Sequence, residues 1–206
     1  MSSLPVRDPV HDRLLTPENS VLVVIDYQPT QINSINSMNR AELVRNILLV
    51  ARIARNYHLP VLLSTVNVAG GSKDTIPALK RILGGIPSYA RTAINAWEDM
   101  EFYEAVKDTG RTKLIMTALW TEACLTFPTL DALAEGYEVY PVVDAVGGTS
   151  RAAHKAALKR VSQAGAHLTS IAQLACELQR DWNREATVPG MVEIFGDAGI
   201  FLNLGK

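Results

Sequence analysis

The chain has 206 residues, 48% of them apolar, and carries 20 Lys and Arg against 21 Asp and Glu. That length suits one domain with a sizeable core, and the balanced charge offers neither a basic field for nucleic acid nor an acidic tail. Two cysteines, Cys124 and Cys176, are too few for a disulfide framework and suit a reducing compartment. No apolar run approaches the ~20 residues of a membrane span. Residues 1–17 lack the apolar stretch of a signal peptide. The expectation is a cytoplasmic protein with no membrane or nucleic-acid partner.

In chain order, residues 21–25 (Val-Leu-Val-Val-Ile) form a continuous apolar run, as in a strand buried on both faces. Residues 40–58 place Leu43, Ile47, Val50, Ala51 and Ala54 at helical spacing. Pro60 starts the next strand-like run, 61–66. Short helices are predicted over 75–83 and 98–108, a strand over 114–118, and a helix over 122–135 stopped by Gly136. A strand at 137–143 ends at Asp144, and a helix over 150–164 has Ser150 as its N-cap. A last short strand is predicted at 166–170, then a helix over 171–182. The tail, 183–206, has weak periodicity. It carries Val192, Ile194, Phe195, Ile200, Phe201, Leu202 and Leu204, enough apolar surface to predict a homo-oligomer contact unless the tail folds back on its own sheet. Strand–helix alternation at this spacing predicts an α/β fold: a mainly parallel sheet of about six strands, helices on both faces, and ligands at the carboxyl edge. No repeat or linker interrupts a single domain, with its core over about 20–182.

Cys124 follows the apolar run 113–120 and falls just inside a predicted helix start. Unpaired N–H groups and the partial positive charge of a helix N-terminus favour ionisation of a thiol there. With Thr121 as N-cap it occupies the third helical position. Pro128 adds to this, because its ring clashes with the carbonyl four residues earlier, that of Cys124, and kinks the turn at the thiol. The competing reading is an inert buried cysteine. Cys176, on an apolar helix stretch, reads as core. Asp26 ends the first strand; it is either a capping acid or a general base for the thiol, and Asp144 occupies a similar strand end. Arg91 lies in the loop-like stretch Ser88-Tyr-Ala-Arg-Thr-Ala-Ile-Asn-Ala-Trp97. It is either a solvated surface charge or a cation that stabilises a thiolate. The pairs Gly70-Gly71, Gly84-Gly85 and Gly147-Gly148 match no nucleotide-binding loop. The four histidines show neither metal-ligand spacing nor a triad partner, and His154 falls on a predicted exposed helix face.

At these residues the chain resembles the isochorismatase-like superfamily of cysteine hydrolases. The matching pieces are Val23-Val-Ile-Asp-Tyr-Gln28, Ile94-Asn-Ala-Trp97, Thr121-Glu-Ala-Cys124 with Pro128, Glu135-Gly-Tyr-Glu-Val139 and Val143-Asp-Ala145. Ser162-Gln-Ala-Gly-Ala166 and Ala175-Cys-Glu-Leu-Gln-Arg-Asp-Trp182 resemble its YcaC-like branch. The resemblance implies a Rossmann-like three-layer α/β/α sandwich and an Asp/Lys/Cys triad, carried here by Asp26, Arg91 and Cys124. Arginine stands where the family usually has lysine, and it holds its charge rather than moving protons. The resemblance also implies a cis peptide between Leu119 and Trp120, an oxyanion hole from the N–H groups of Trp120 and Cys124, and large closed rings, often octamers. Nicotinamidase relatives hold a metal through an Asp/His cluster; no such cluster is found here, where the second strand ends in Val66-Asn67-Val68, so no metal or other cofactor is expected. The implied activity is hydrolysis of a small amide or related C–N bond through a Cys124 thioester. Tyr27, Tyr89, Asn95, Trp97, Trp120, Thr121 and Phe127 are candidate pocket walls, with ordinary core packing as the alternative for each. Two other readings stand beside the hydrolase: a weakly active or non-catalytic ligand-binding oligomer, and a thiol-redox protein using Cys124.

Overall fold

The computed structural model describes residues 6–68 and 74–200. β1 (Ser20–Ile25) is buried at every position, as its unbroken apolar run requires. The short α1 (Pro29–Asn33) and the long α2 (Arg40–Asn56) follow. The Asn39 side chain accepts from the Glu42 N–H at 3.1 Å to start α2, a cap typically worth about 1 kcal/mol. β2 (Val61–Val66) leads through α3 (Pro77–Leu83) to β3 (Ser88–Arg91). A 3-10 turn (Ala96–Glu98) and α4 (Met100–Asp108) precede β4 (Lys113–Ala118). A π-turn (Thr121–Leu125) runs straight into α5 (Thr126–Ala134). β5 (Glu138–Pro141), α6 (Arg151–Gln163), α7 (Ile171–Gln179) and α8 (Val188–Asp197) are the remaining elements among the described residues.

The sheet order is β3-β2-β1-β4-β5, and every pairing is parallel. Alternate residues of β1 feed two cores. Leu22 and Val24 pack with α2, α3, α7 and α8; Val21, Val23 and Ile25 pack with α4 and α5. The result is the expected three-layer sandwich. The order of connection reverses between β1 and β4, so the crevice at their carboxyl ends is where such a fold can hold a ligand.

Several local expectations change. Among the described residues the sheet has five strands: β3 replaces a predicted loop, and the predicted strand at 166–170 is a single bridge, Thr169 to Val142. β3 has four residues and only Arg91 is buried, so it carries no apolar run to betray it. The predicted helix over 98–108 divides because Asn95 and Asp99 each cap a separate start. The last predicted helix stops at Gln179, before Arg180 at φ +60°. Cys176 is exposed rather than core. The tail forms α8, whose Met191, Ile194 and Phe195 are buried in the chain's own core while Val192 and Ile200 stay exposed. Arg52 of α2 pairs with Glu193 at 2.8 Å and Asp197 at 2.5 Å. Gly70-Gly71, Phe201, Leu202 and Leu204 lie outside the described residues. No described helix is long and apolar enough to cross a membrane.

Candidate active site

Asp26 is the first residue past β1. Its backbone adopts φ +64°, a left-handed conformation that Asp tolerates better than most residues. Its N–H reaches Ser64 O at 3.0 Å and its carbonyl accepts from Gln28 N at 2.8 Å. Gln28 then acts as a surrogate strand residue: its side-chain amide donates to Val66 O and accepts from Val66 N, each at 3.0 Å. These bonds hold the end of β1 against β2 and direct the Asp26 side chain into the crevice.

Arg91 ends β3 and reaches across β2 to that carboxylate. Its two terminal nitrogens donate to the two Asp26 oxygens at 2.8 and 2.7 Å, a fork-to-fork pair with both side chains wholly buried. Ser64 Oγ, at 3.0 Å, and Ile94 O, at 3.2 Å, take the remaining directions of the terminal nitrogens. Burial works against the guanidinium charge. The Asp26 hydrogen bonds and charge outweigh it and hold Arg91 above its ordinary value. The surface reading of Arg91 is therefore excluded. Ser64 was detectable in the sequence as a polar residue inside an apolar strand; Gln28 was marked only as the last residue of the family motif Val23–Gln28, with no hint of its role.

Cys124 sits on the π-turn after β4. The Leu119–Trp120 peptide is cis. Leu125 N bonds to Trp120 O at 3.1 Å, five residues back, which defines the wider turn. Pro128 accounts for the irregularity, since it can give no N–H to the Cys124 carbonyl. The helix start shifts accordingly. Trp120 takes the N-cap position without a side-chain cap, so Thr121 is not the cap and Cys124 is the fourth residue of the turn. Thr121 is instead buried and tied by its N–H to Gly147 O at 2.9 Å.

Cys124 is 7% exposed, and its thiol lies close enough to Asp26, Arg91 and the Trp120 N–H to feel all three. Burial pushes the thiol up to about 12; the Asp26 charge and hydrogen bond add to the rise, while Arg91 and the Trp120 N–H oppose it. This overturns the expectation of a thiol that ionises readily. Enclosure and an adjacent carboxylate exceed what a helix start supplies. Asp144, the other strand-end acid, receives the Ile171 N–H on both oxygens at 3.1 and 3.2 Å and so starts α7.

The remaining predicted wall residues divide. Trp120 is partly exposed beside Cys124, its indole N–H on Ser34 Oγ at 2.5 Å. Phe127 is half-buried on α5. Tyr89 is half-buried, its ring edge-on to Phe102 at 6.1 Å. Tyr27 is core: it is wholly buried, with its hydroxyl on Ala145 O at 2.5 Å, and burial raises its pKa. Asn95 caps the Trp97 N–H and donates to Asp131 at 2.6 Å. Trp97 donates to Glu135 at 2.8 Å and packs edge-on to Tyr103 and Tyr137. Their polar atoms are engaged in holding the 3-10 turn to α5 and its C-terminal cap. Among the described residues no group of three His, Cys, Asp or Glu is arranged to hold a metal ion.

Comparison with known proteins shows the family. The isochorismatase domain family matches residues 20–173. The probable hydrolase YcaC of Escherichia coli is 33% identical over 184 residues, covering 89% of this chain and 88% of that protein. The crystal structure of the Escherichia coli YcaC gene product, described as an octameric hydrolase of unknown specificity, superposes with a TM-score of 0.84 at 32% identity, covering 90% of this chain and 91% of that one. YcaC from Pseudomonas aeruginosa, solved with hexane-2,5-diol and covalent acrylamide, gives the same TM-score and coverage at 34% identity. With the family match spanning β1 to α7 and a parallel sheet presenting Asp26, Arg91 and Cys124 together, the chain belongs to the isochorismatase family, in its YcaC-like branch.

Proposed function

We propose that the chain is a cysteine hydrolase of a small amide or related C–N bond, with Cys124 as nucleophile. The observation that carries this reading is the Asp26 carboxylate, wholly buried, clamped by Arg91 and set beside the Cys124 thiol. The resting sulfur is a thiol, so deprotonation accompanies attack. Asp26 takes the S–H proton as the sulfur bonds to the carbonyl carbon, and the carbonyl π pair moves onto oxygen. A carboxylate oxygen has lone pairs enough to accept from Arg91 and from the thiol together. The backbone N–H groups of Trp120 and Cys124 hold the oxyanion. Its collapse breaks the C–N bond, and the amine leaves with the proton from Asp26. Water, deprotonated by Asp26, attacks the thioester; the second collapse releases the acid and returns the proton to sulfur. Arg91 contributes fixed charge and orientation throughout, since it stays protonated.

The relative that carries covalent acrylamide supports a reactive nucleophile in this branch. The octameric relative, with Val192 and Ile200 exposed on this chain, supports a homo-oligomer here, an octamer being the expected form. Light scattering that returns a single-chain mass at micromolar concentration would contradict that assembly.

A panel of small amides screened by mass spectrometry, with Cys124→Ala as control, tests the activity. Turnover lost in Cys124→Ala, with a thioester trapped on Cys124 in the parent protein, is the expected result. A second reading, a ligand-binding oligomer with little hydrolysis, is favoured by the high thiol pKa and by Arg91 in the place of lysine. It predicts that Cys124 forms adducts that never turn over.

A further inference from the structure

The π-turn that carries Cys124 is braced from outside the sheet. Thr121 Oγ lies 2.9 Å from His154 Nδ1 on α6. The Thr121 carbonyl accepts from Thr126 Oγ at 2.6 Å, and its N–H is given to Gly147. Glu122, the next residue, accepts from the Thr149 N–H at 2.9 Å and hydroxyl at 2.5 Å with a single carboxylate oxygen. Thr121 is the hub: it follows the cis peptide and sits between Trp120 and Cys124, whose N–H groups are the proposed oxyanion hole. A π-turn has lost the regular ladder that holds an ordinary helix start, so its side-chain ties decide where those N–H groups point. We propose that His154 is a positioning residue for the nucleophile turn, acting through Thr121 to aim the Trp120 and Cys124 N–H groups at a carbonyl oxygen next to the Cys124 sulfur. Burial holds the His154 imidazole below its ordinary value against the pull of Glu122, so at neutral pH one ring nitrogen accepts and the other donates. This inference rests on the oxyanion-hole reading above.

The test compares two thiol reagents by peptide mass spectrometry, which resolves Cys124 from the exposed Cys176 in one sample. Acrylamide adds to a thiolate by forming an S–C bond at its terminal carbon. Its C=C pair moves so that charge builds on the amide oxygen, and the α-carbon then takes a proton. Methyl methanethiosulfonate reacts at sulfur, forming a disulfide and releasing methanesulfinate, and builds no carbonyl oxyanion. General loosening of the turn raises both rates together; a misaimed hole slows acrylamide alone. The acrylamide-to-thiosulfonate rate ratio at Cys124 is expected to exceed that at Cys176 in the wild type and to fall about tenfold or more in His154→Leu. It should recover to within about threefold in His154→Asn, whose amide can occupy the place of Nδ1. Thr121→Val removes the same hydrogen bond at nearly constant volume and is expected to reproduce the fall, which keeps the test open if His154→Leu does not fold. A wild-type ratio no higher than that of Cys176 would overturn the hole and this inference together. A wild-type preference that survives in His154→Leu or in Thr121→Val would overturn the inference alone.

Discussion

Arg91→Met isolates the contribution of the buried fork. The change removes two hydrogen bonds to Asp26, at 2.8 and 2.7 Å, and one each to Ser64 and Ile94, while leaving the carboxylate wholly buried. Breaking one side of a buried ion pair costs about 3–5 kcal/mol, because the surviving charge has neither partner nor water. At roughly 2–4 °C per kcal/mol for a domain of this size, the melting temperature should fall by about 6–20 °C. The same substitution removes the positive charge that lowers the Cys124 pKa, so alkylation of Cys124 at fixed pH should slow as well. Arg91→Lys keeps the charge but replaces the fork with a single ammonium; it should lose less stability and retain substantial activity. Asp26→Asn combined with Arg91→Met removes both charges and should melt above Arg91→Met alone. Thermal melts by circular dichroism, with Cys124 alkylation followed by mass spectrometry, measure all three variants. Arg91→Met melting within about 2 °C of the wild type, a shift expected for 1 kcal/mol or less, would refute the reasoning. It would mean that the carboxylate finds another partner or is not buried in solution.

Asp26→Asn should abolish most turnover, since an amide accepts no proton from the thiol at neutral pH, yet speed Cys124 alkylation, because the Asp26 charge raises the thiol pKa; slower alkylation would show that Asp26 does not press on the sulfur. In the wild type, alkylation of Cys124 should climb about tenfold per pH unit from neutral pH upward, because only the thiolate reacts and the thiol is held up to about 12. Free cysteine levels off above ~8.5, and a Cys124 profile that levels off there would contradict the burial argument. Gly148→Ala should cost about 1–3 kcal/mol and slow turnover, because a Cβ there would lie 2.5 Å from Glu122 Oε2 and 3.1 Å from His154 Cβ; unchanged melting and activity would show that the brace around the π-turn yields freely.

The sequence by itself determined the features that local chemistry encodes. An unbroken apolar run is buried on both faces wherever it is placed, so β1 and β4 were legible. The spacing of Leu43, Ile47, Val50 and Ala54 set the buried face of α2. Proline at 128 marked the Cys124 turn as irregular because its ring and missing N–H act only four residues away. The family motifs brought Asp26, Arg91 and Cys124 to one edge on paper. Only the tertiary structure decided what they do to one another. Arg91 and Asp26 are 65 residues apart, and no periodicity reports a pairing made across an intervening strand. The thiol pKa depends on how much protein surrounds the sulfur and which charge lies nearest, so a helix start read from sequence pointed the wrong way. Aromatic residues in a motif look alike as letters; Tyr27 became core and Trp120 stayed at the crevice because their neighbours in space come from distant segments. His154 was passed over for the same reason: its partner, Thr121, is 33 residues away, and only the docking of α6 on the π-turn brings them to 2.9 Å.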